Sequence, residues 1–249
     1  MFKNQPKGLI PAALSNMGER FGYYIMNAVL VLFLCSKFGL NEETSGLIYS
    51  CFYAGIYILS LVGGIIADKT QNYKGTIIKG LIIMTAGYAL LAIPILATAE
   101  NTTWLLTLTC VALFLIAFGN GLFKGNLQAI VGQLYDNPKY ADKRDSGFQI
   151  FYVFINIGGL IAPFVAPYLR EWWLSANDMV YNASFPEMCH QVLGGSADKL
   201  AEITDFAAKV GYNGVESLKE FCGQYLDVFN SGIHFSFIAS VAAMLISLT

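Results

Sequence analysis

The chain has 249 residues, of which 55% are hydrophobic and 13% are charged, and its mean hydropathy is +0.53. A soluble domain carries about 25% charged residues because water must wet its surface, so this composition excludes an ordinary soluble protein and predicts a membrane protein. The net charge of −2 excludes a strongly basic surface for nucleic acid, and the five cysteines lack the paired spacing of a metal site.

Six stretches are long and apolar enough to cross a bilayer, which takes about 20 mostly apolar residues. They are 10–36, 45–67, 77–98, 103–134, 147–168 and 232–249. We predict that residues 1–168 form the first five transmembrane helices. Residues 232–249 are predicted as the start of a sixth helix. This last stretch reaches Thr249 without a polar flank, and we therefore expect the natural protein to continue beyond it.

The segment 169–231 is polar and too long for a simple connection between two spans. It contains two stretches, 197–210 and 215–229, in which apolar residues recur at three- and four-residue spacing, as in amphipathic helices. We predict that this segment is a small helical insertion on the extracytoplasmic side.

Lysine and arginine collect on one side of the predicted spans, as they do in cytoplasmic loops. If the amino terminus is cytoplasmic, that side carries Lys3, Lys7, Lys69, Lys74, Lys79, Lys139, Lys143 and Arg144. The two short loops on the other side carry only Lys37. We predict a multi-pass protein of the cell (inner) membrane with a cytoplasmic amino terminus.

Three charged side chains lie deep within predicted spans: Glu19, Arg20 and Lys124. A charge at the bilayer centre costs about 2.5–3.5 kcal/mol on insertion scales. Such residues usually face a watery cavity or one another, and they mark a transport path. A structural ion pair that holds the first helix to the fourth is the alternative interpretation.

The first predicted helix carries a polar stripe. Its members recur at intervals of three and four residues, which places them on one face of the helix. They are Asn16, Arg20, Tyr23 and Asn27, flanked by Glu19 and Tyr24. A polar stripe on an otherwise apolar helix is typical of a helix that lines a water-filled cavity.

The fourth predicted helix carries Lys124 in a segment where three glycines fall within seven residues, which favours a bend. A bent helix at membrane depth is tolerated where it is buried in protein or lines a cavity. The cations Arg20 and Lys124 suit an anionic group, and Glu19 can exchange a proton. The fifth helix adds Tyr152 and Asn156, each of which can contact a ligand or hydrogen-bond a neighbouring helix.

Four segments in chain order carry a family resemblance. They are residues 16–24, the Gly63, Gly64 and Asp68 string followed by Gly75, residues 119–126, and residues 151–158. The first resembles the E-x-x-E-R-F-x-Y-Y signature of the proton-dependent oligopeptide transporter family, which is part of the major facilitator superfamily. The second is similar to the superfamily's loop motif, and the last two resemble the family's fourth- and fifth-helix segments, with Gly125 where proline is usual.

The resemblance implies the six-helix, all-α amino-terminal bundle of a twelve-helix fold, with the substrate site between two such bundles. It implies symport of di- and tripeptides with protons, no enzymatic activity, and no cofactor other than the coupling proton. The residues implied to line the peptide site are Arg20, Tyr23, Tyr24, Tyr57, Lys124 and Asn156. Arg20 and Lys124 would meet the peptide carboxylate, and Glu19 would take part in proton coupling. The implied partners are small peptides, the lipid bilayer and a carboxy-terminal half of the same protein.

The chain departs from the family at two positions. Asn16 stands where the first glutamate of the signature is usual, and Asn27 stands where an arginine is often found. Eleven residues are about three helical turns, so both side chains lie on one face, and we interpret them as an ion pair replaced by two amides that hydrogen-bond directly or through water. We hypothesise that proton coupling persists through Glu19.

Two other functions stay open because of this departure. One is a related carrier of another small anionic or zwitterionic solute, such as nitrate or an amino acid. The other, from a different class, is a membrane protein that binds peptides without transporting them.

Cys189 and Cys222 both lie in the predicted insertion, on the oxidising side of the membrane, where a disulfide can form between them. Sequence does not prove connectivity, so two free thiols are the alternative. Cys35, Cys51 and Cys110 fall in or near spans and are expected to be packing residues.

Overall fold

Residues 4–98, 100–195 and 200–248 are described by a computed structural model, and most of them are α-helical. The helices are α1 (Leu9–Phe38), α2 (Glu42–Thr70), α3 (Tyr73–Ala92), α4 (Thr102–Gln133), α5 (Arg144–Ala176), α6 (Phe185–Leu193), α7 (Leu200–Lys209) and α8 (Leu218–Ser247). Six helices in the described residues, α1 to α5 and α8, are long and apolar enough to cross a membrane. The predicted all-α membrane bundle is confirmed. Lys3 and Thr249 lie outside the described residues.

Capping interactions fix several helix ends. The side-chain oxygens of Asn41 and Asn72 accept hydrogen bonds from backbone N–H groups in the first turns of α2 and α3. Ser217 and Glu220 form a capping box at the start of α8. Gly39 ends α1 in a left-handed conformation, with a φ of 63°, which glycine adopts without steric cost.

The third membrane helix is shorter than the predicted span 77–98. It ends at Ala92, and residues 93–98 are not helical. The cause is Pro94, because the ring of a proline disfavours helical backbone at the residue before it. Ile93 is accordingly extended, with a φ of −70° and a ψ of 117°.

Both predicted boundaries of the insertion 169–231 lie inside helices. α5 continues without a break to Ala176, and α8 begins at Leu218. The predicted amphipathic helix 215–229 therefore largely coincides with the first turns of the last membrane helix, and the capping box sets its start.

What separates α5 from α8 is the shorter segment 177–217, which holds α6 and α7. The predicted helix 197–210 corresponds to α7, and residues 197–199 lie outside the described residues. The segment is attached to the long helices by polar contacts. The phenol of Tyr225 in α8 donates to the carbonyl oxygen of Val180 at 2.9 Å, and His190 Nε2 lies 2.7 Å from the carbonyl oxygen of Ser36 in α1.

The long helices pack in two sets. α1 packs mainly on α5 and α8, and α4 packs on α2 and α3. Close backbone approaches join α4 to its neighbours. A Cβ on Gly63 of α2 would fall on the carbonyl oxygen of Gly121, and a Cβ on Gly119 would stand 2.5 Å from the carbonyl oxygen of Gly80 in α3. Small residues are what allow membrane helices to approach so closely.

Cys189 of α6 and Cys222 of α8 are buried neighbours. They are free thiols that share a hydrogen bond, so the predicted disulfide is not formed in the structure. Forming it would require an oxidant to accept two electrons from the pair. Burial raises the pKa of the Cys189 thiol, and thiolate, the reactive form, is therefore scarce at neutral pH.

Gly63→Ala is expected to lower the melting temperature of the detergent-solubilised protein, because the new methyl group must displace the backbone of α4. Overpacking of this kind typically costs about 1–3 kcal/mol. Gly64→Ala is the matched control, since nothing lies within 4 Å of a Cβ at that position. Equal melting temperatures for the two variants would contradict the close approach of α2 to α4.

Maleimide labelling at neutral pH is expected to leave Cys189 unmodified until the protein is denatured. Because the pKa of Cys189 is raised, increasing the pH should speed its reaction only well above the range of an ordinary thiol. Labelling after denaturation without reductant then distinguishes a free Cys189–Cys222 thiol pair from a disulfide, since only free thiols react with maleimide. Fast reaction of Cys189 in the folded protein would show that α6 does not cover it.

Candidate functional site

A cavity of about 270 Å³ opens between α1, α2 and α4. Its lining is aromatic and cationic. The lining residues are Arg20, Tyr23, Tyr24, Asn27, Tyr49, Tyr53, Ile56, Tyr57 and Lys124. Five of the six residues predicted for the peptide site thus come together on three helices.

The sixth predicted residue, Asn156, does not line this cavity. It is exposed on α5, beside the exposed Tyr152. Both belong to a face of α5 that the described helices leave uncovered.

Glu19 is completely buried, and its neighbour Arg20 compensates its charge. Arg20 Nε donates to Glu19 Oε2 at 2.5 Å, and Arg20 Nη2 donates to Oε1 at 2.8 Å. The guanidinium also lies 5.0 Å from the ring centroid of Tyr23, a cation–π distance. Arg20 therefore touches both the buried carboxylate and the cavity that it helps to line.

Asn120 of α4 supplies a third hydrogen bond to Glu19. Its Nδ2 donates to Oε1 at 2.6 Å, and the side chain is fully buried. Its Oδ1 is also buried and has no hydrogen-bond partner. Asn120 is not among the residues predicted from the sequence, because nothing in the local pattern shows that it faces α1.

Lys124 lies one turn beyond Asn120 on α4 and points its ammonium at α2. The Nζ atom is 4.9 Å from the ring centroid of Tyr57. Within the described residues, no carboxylate lies at ion-pair distance from it. In the part of the chain that the structure describes, Lys124 is thus a half-buried cation without an ion-pair partner.

Tyrosines on α2 form one wall of the cavity. Tyr49, Tyr53 and Tyr57 recur every four residues, and the hydroxyls of Tyr53 and Tyr57 are 3.1 Å apart. The rings of Tyr49 and Tyr53 are stacked, with centroids 6.2 Å apart. Tyr49 and Tyr53 were not predicted from the sequence. Their four-residue spacing from Tyr57 places all three on one face of the helix, so this spacing could have identified both.

The interpretation of Asn16 and Asn27 as a bonded pair is wrong. They share a face of α1, but at about 1.5 Å of rise per residue eleven residues separate them by about 16 Å, which is too far for a direct or single-water bridge. Asn16 is buried, whereas Asn27 lines the cavity with a buried Oδ1 that has no partner.

The Gly63, Gly64 and Asp68 string lies away from the cavity. Gly63 provides the close contact with α4, where Asn126 Nδ2 also donates to its carbonyl oxygen at 3.1 Å. Asp68 accepts a hydrogen bond from the Tyr73 hydroxyl at 2.6 Å across the turn from α2 to α3. These contacts assign the string to helix packing and turn geometry.

Comparison with known proteins gives a family match. The model of the POT family matches residues 74–190. A di-/tripeptide transporter of Lactococcus lactis subsp. cremoris is 38% identical over 171 residues, and dipeptide and tripeptide permease A of Chromobacterium violaceum is 34% identical over 167 residues. These alignments cover 66% and 67% of this chain but only 32% of each relative. The chain thus spans about a third of the length of these curated relatives.

Solved structures give the same picture. A crystal structure of a peptide transporter POT in complex with sulfate is 25% identical with a TM-score of 0.59, and it matches over 100% of this chain and 40% of its own. A POT family transporter in complex with 5-aminolevulinic acid is 24% identical with a TM-score of 0.66, over 100% of this chain and 38% of its own, and shows the same fold.

Arg20→Gln is expected to destabilise the folded protein, because it leaves the Glu19 carboxylate buried without a counter-charge. Removal of one partner of a buried pair typically costs about 3–5 kcal/mol. Adding Glu19→Gln to this variant should recover part of the loss. Apparent melting temperatures at neutral pH measure the effect, and equal values for the single and double variants would show that the pair does not stabilise the fold.

Proposed function

The chain belongs to the POT family, whose members are transporters and not enzymes, and on this premise we propose that it is the amino-terminal bundle of a secondary active transporter. The proposed activity is symport of di- and tripeptides with protons across the cell membrane. A multi-pass helical bundle with a polar cavity is the architecture that this activity needs.

The observation that carries the proposal is the unpaired cation in the cavity. Lys124 and Arg20 line the same space, and Lys124 has no protein carboxylate at ion-pair distance within the described residues. A peptide carries one terminal carboxylate, which would accept charge-assisted hydrogen bonds from these donors. The tyrosine wall offers aromatic surface and hydroxyls to the peptide's side chains and backbone.

The Glu19–Arg20 contact supports proton coupling. While Glu19 is ionised, it holds the guanidinium of Arg20 with two hydrogen bonds. When Glu19 takes up a proton, the ion pair is lost and Arg20 can turn its donors to an anion in the cavity. Proton binding and peptide binding then favour each other, and linkage requires that the coupling be reciprocal.

A second bundle would complete the site. The exposed apolar side chains are concentrated on α2 and α5, where Leu61 is 70% exposed and Phe164 is 72% exposed. These faces flank the cavity and would meet lipid or another helical bundle. Transport by alternating access moves one bundle against another around a midplane site. Asn156 would then face the interface between the two bundles.

The basic ends of the helices support a cytoplasmic amino terminus. Lys143 Nζ donates to the carbonyl oxygen of Asn4, and the Tyr135 hydroxyl donates to Gln5 Oε1 at 2.7 Å, so the chain start lies against the α4–α5 connection. The lysines of the α4–α5 connection therefore cluster with Lys7 on one side of the bundle. By the positive-inside rule, this side would be cytoplasmic in the cell (inner) membrane.

Lys124→Ala in the intact transporter is expected to raise the KM for a dipeptide by about 10–100-fold, the equivalent of a charged hydrogen bond of roughly 1.5–3 kcal/mol. The measurement is uptake of a labelled dipeptide into proteoliposomes with an inward proton gradient. Lys139→Ala, an exposed lysine away from the cavity, is the matched control.

A dipeptide with an amidated carboxyl terminus sharpens this test. The wild-type protein should bind it weakly, and Lys124→Ala should change its KM little, because the lost partner is the carboxylate. Wild-type protein that is folded but takes up no dipeptide would redirect the proposal to another small anionic or zwitterionic solute. Binding of dipeptide with no uptake would favour a non-transporting peptide-binding protein.

A further inference from the structure

Asn120 is a fully buried amide that contacts Glu19 from α4. Its donor group is used, since Nδ2 bonds to Glu19 Oε1 at 2.6 Å, but its acceptor Oδ1 is buried and has no partner. Buried polar atoms are rarely left unpaired, because each costs the free energy of its lost hydration. An unpaired acceptor beside an ionisable carboxyl group therefore calls for an explanation.

The chemistry of the two side chains provides one. An ionised carboxylate only accepts hydrogen bonds, so the amide must present Nδ2 to it. A protonated carboxyl has an O–H that needs an acceptor, and the same amide presents Oδ1 after a half-turn about its terminal torsion. Asparagine thus matches both protonation states of Glu19 without moving its backbone.

We propose that Asn120 is a positioning residue for proton coupling, which exchanges its Nδ2 and Oδ1 as Glu19 gains and loses a proton. The proposal rests on the proposed function. In the proposed symport, Glu19 takes its proton from the acidic solution on the side of uptake, and no proton passes to Asn120. When Glu19 is neutral, Oδ1 accepts its O–H, and Arg20 is left with its full charge at the cavity.

The packing around Asn120 restrains its backbone. Gly119 and Gly121 hold the backbone of α4 against α3 and α2, since a Cβ at Gly121 would stand 2.5 Å from the backbone of Leu59. The backbone at Asn120 is thereby fixed on both sides. At Asn120, the side-chain amide is therefore the part that can respond to the charge of Glu19.

The titratable groups around Glu19 lie on three helices. Arg20 bonds to it directly, and the charge of Glu19 acts on Tyr23 of α1 and on Tyr88 of α3. Lys124 follows Asn120 by one turn on α4. The Tyr88 hydroxyl is buried and unpaired like Asn120 Oδ1, so a second polar group is available near the carboxyl.

Asn120→Leu tests the proposal in proteoliposomes with the intact transporter. Two readouts are compared: uptake driven by a proton gradient, and exchange of internal for external dipeptide without a gradient. Exchange needs no net change in protonation and should stay within about threefold of wild type, whereas driven uptake should fall by at least about tenfold. Asn126→Leu, which removes another buried amide from α4, should change both readouts by the same factor.

Asn120→Asp is the rescue variant. A protonated carboxyl at this position offers a donor and an acceptor in the same shape, so driven uptake should return. In this variant two carboxyl groups share a site and retain one proton, so Glu19 is protonated by the second, which is bound less tightly, and the pH profile of driven uptake should move to lower pH. This variant decides the question if Asn120→Leu does not fold, since an unchanged pH profile would overturn the proposal.

Asn120→Leu with undiminished driven uptake, or with both readouts reduced equally, would also overturn it. Wild-type protein without gradient-driven dipeptide uptake refutes the proposed function instead. In that case, infrared spectra recorded during acid titration still test Asn120. The carbonyl band of protonated Glu19, identified by its loss in Glu19→Gln, should shift in Asn120→Leu, and an unshifted band would refute the hydrogen bond.

Discussion

The buried charge of Glu19 is the constraint on which the rest of the site depends. Adjacent residues on a helix do not normally face each other. Arg20 nevertheless bends back to make two hydrogen bonds to Glu19, because an uncompensated carboxylate at this depth would be very costly. One of the two cations in the cavity is therefore committed to a protein anion, and Lys124 is the one left for a ligand.

α4 carries the polar side chains that contact the buried carboxylate and the cavity. Its glycines bring it against the backbones of α2 and α3, and these contacts fix the position of its polar side chains along the bundle axis. Asn120 and Lys124 are four residues apart and so share a face. The first reaches the carboxylate of Glu19, and the second reaches the ring of Tyr57 in the cavity. A shift of α4 would move both contacts together.

Sequence alone predicted the six spans, the intramembrane charges and most of the cavity lining, because a charge in an apolar run is conspicuous. Its misses have physical reasons. Pro94 and the capping box at Ser217 were both visible in the sequence. The predicted helix bounds followed the length of the apolar or amphipathic run instead, so the end of α3 and the start of α8 were misplaced. Asn120 and the exposed position of Asn156 depend on which helix faces which, and helical periodicity within one segment does not specify that.

The charges around the cavity give the proposed coupling a definite sign. With Glu19 ionised, the charges of Glu19, Arg20 and Lys124 add to +1, and protonation of Glu19 raises this to +2. A bound peptide carboxylate returns the total to +1. A glutamate at position 16 and an arginine at position 27 would leave these totals unchanged, because their charges cancel. In the proposed symport, the single unit of charge that Glu19 gains on protonation is therefore what changes the attraction of the cavity for an anion.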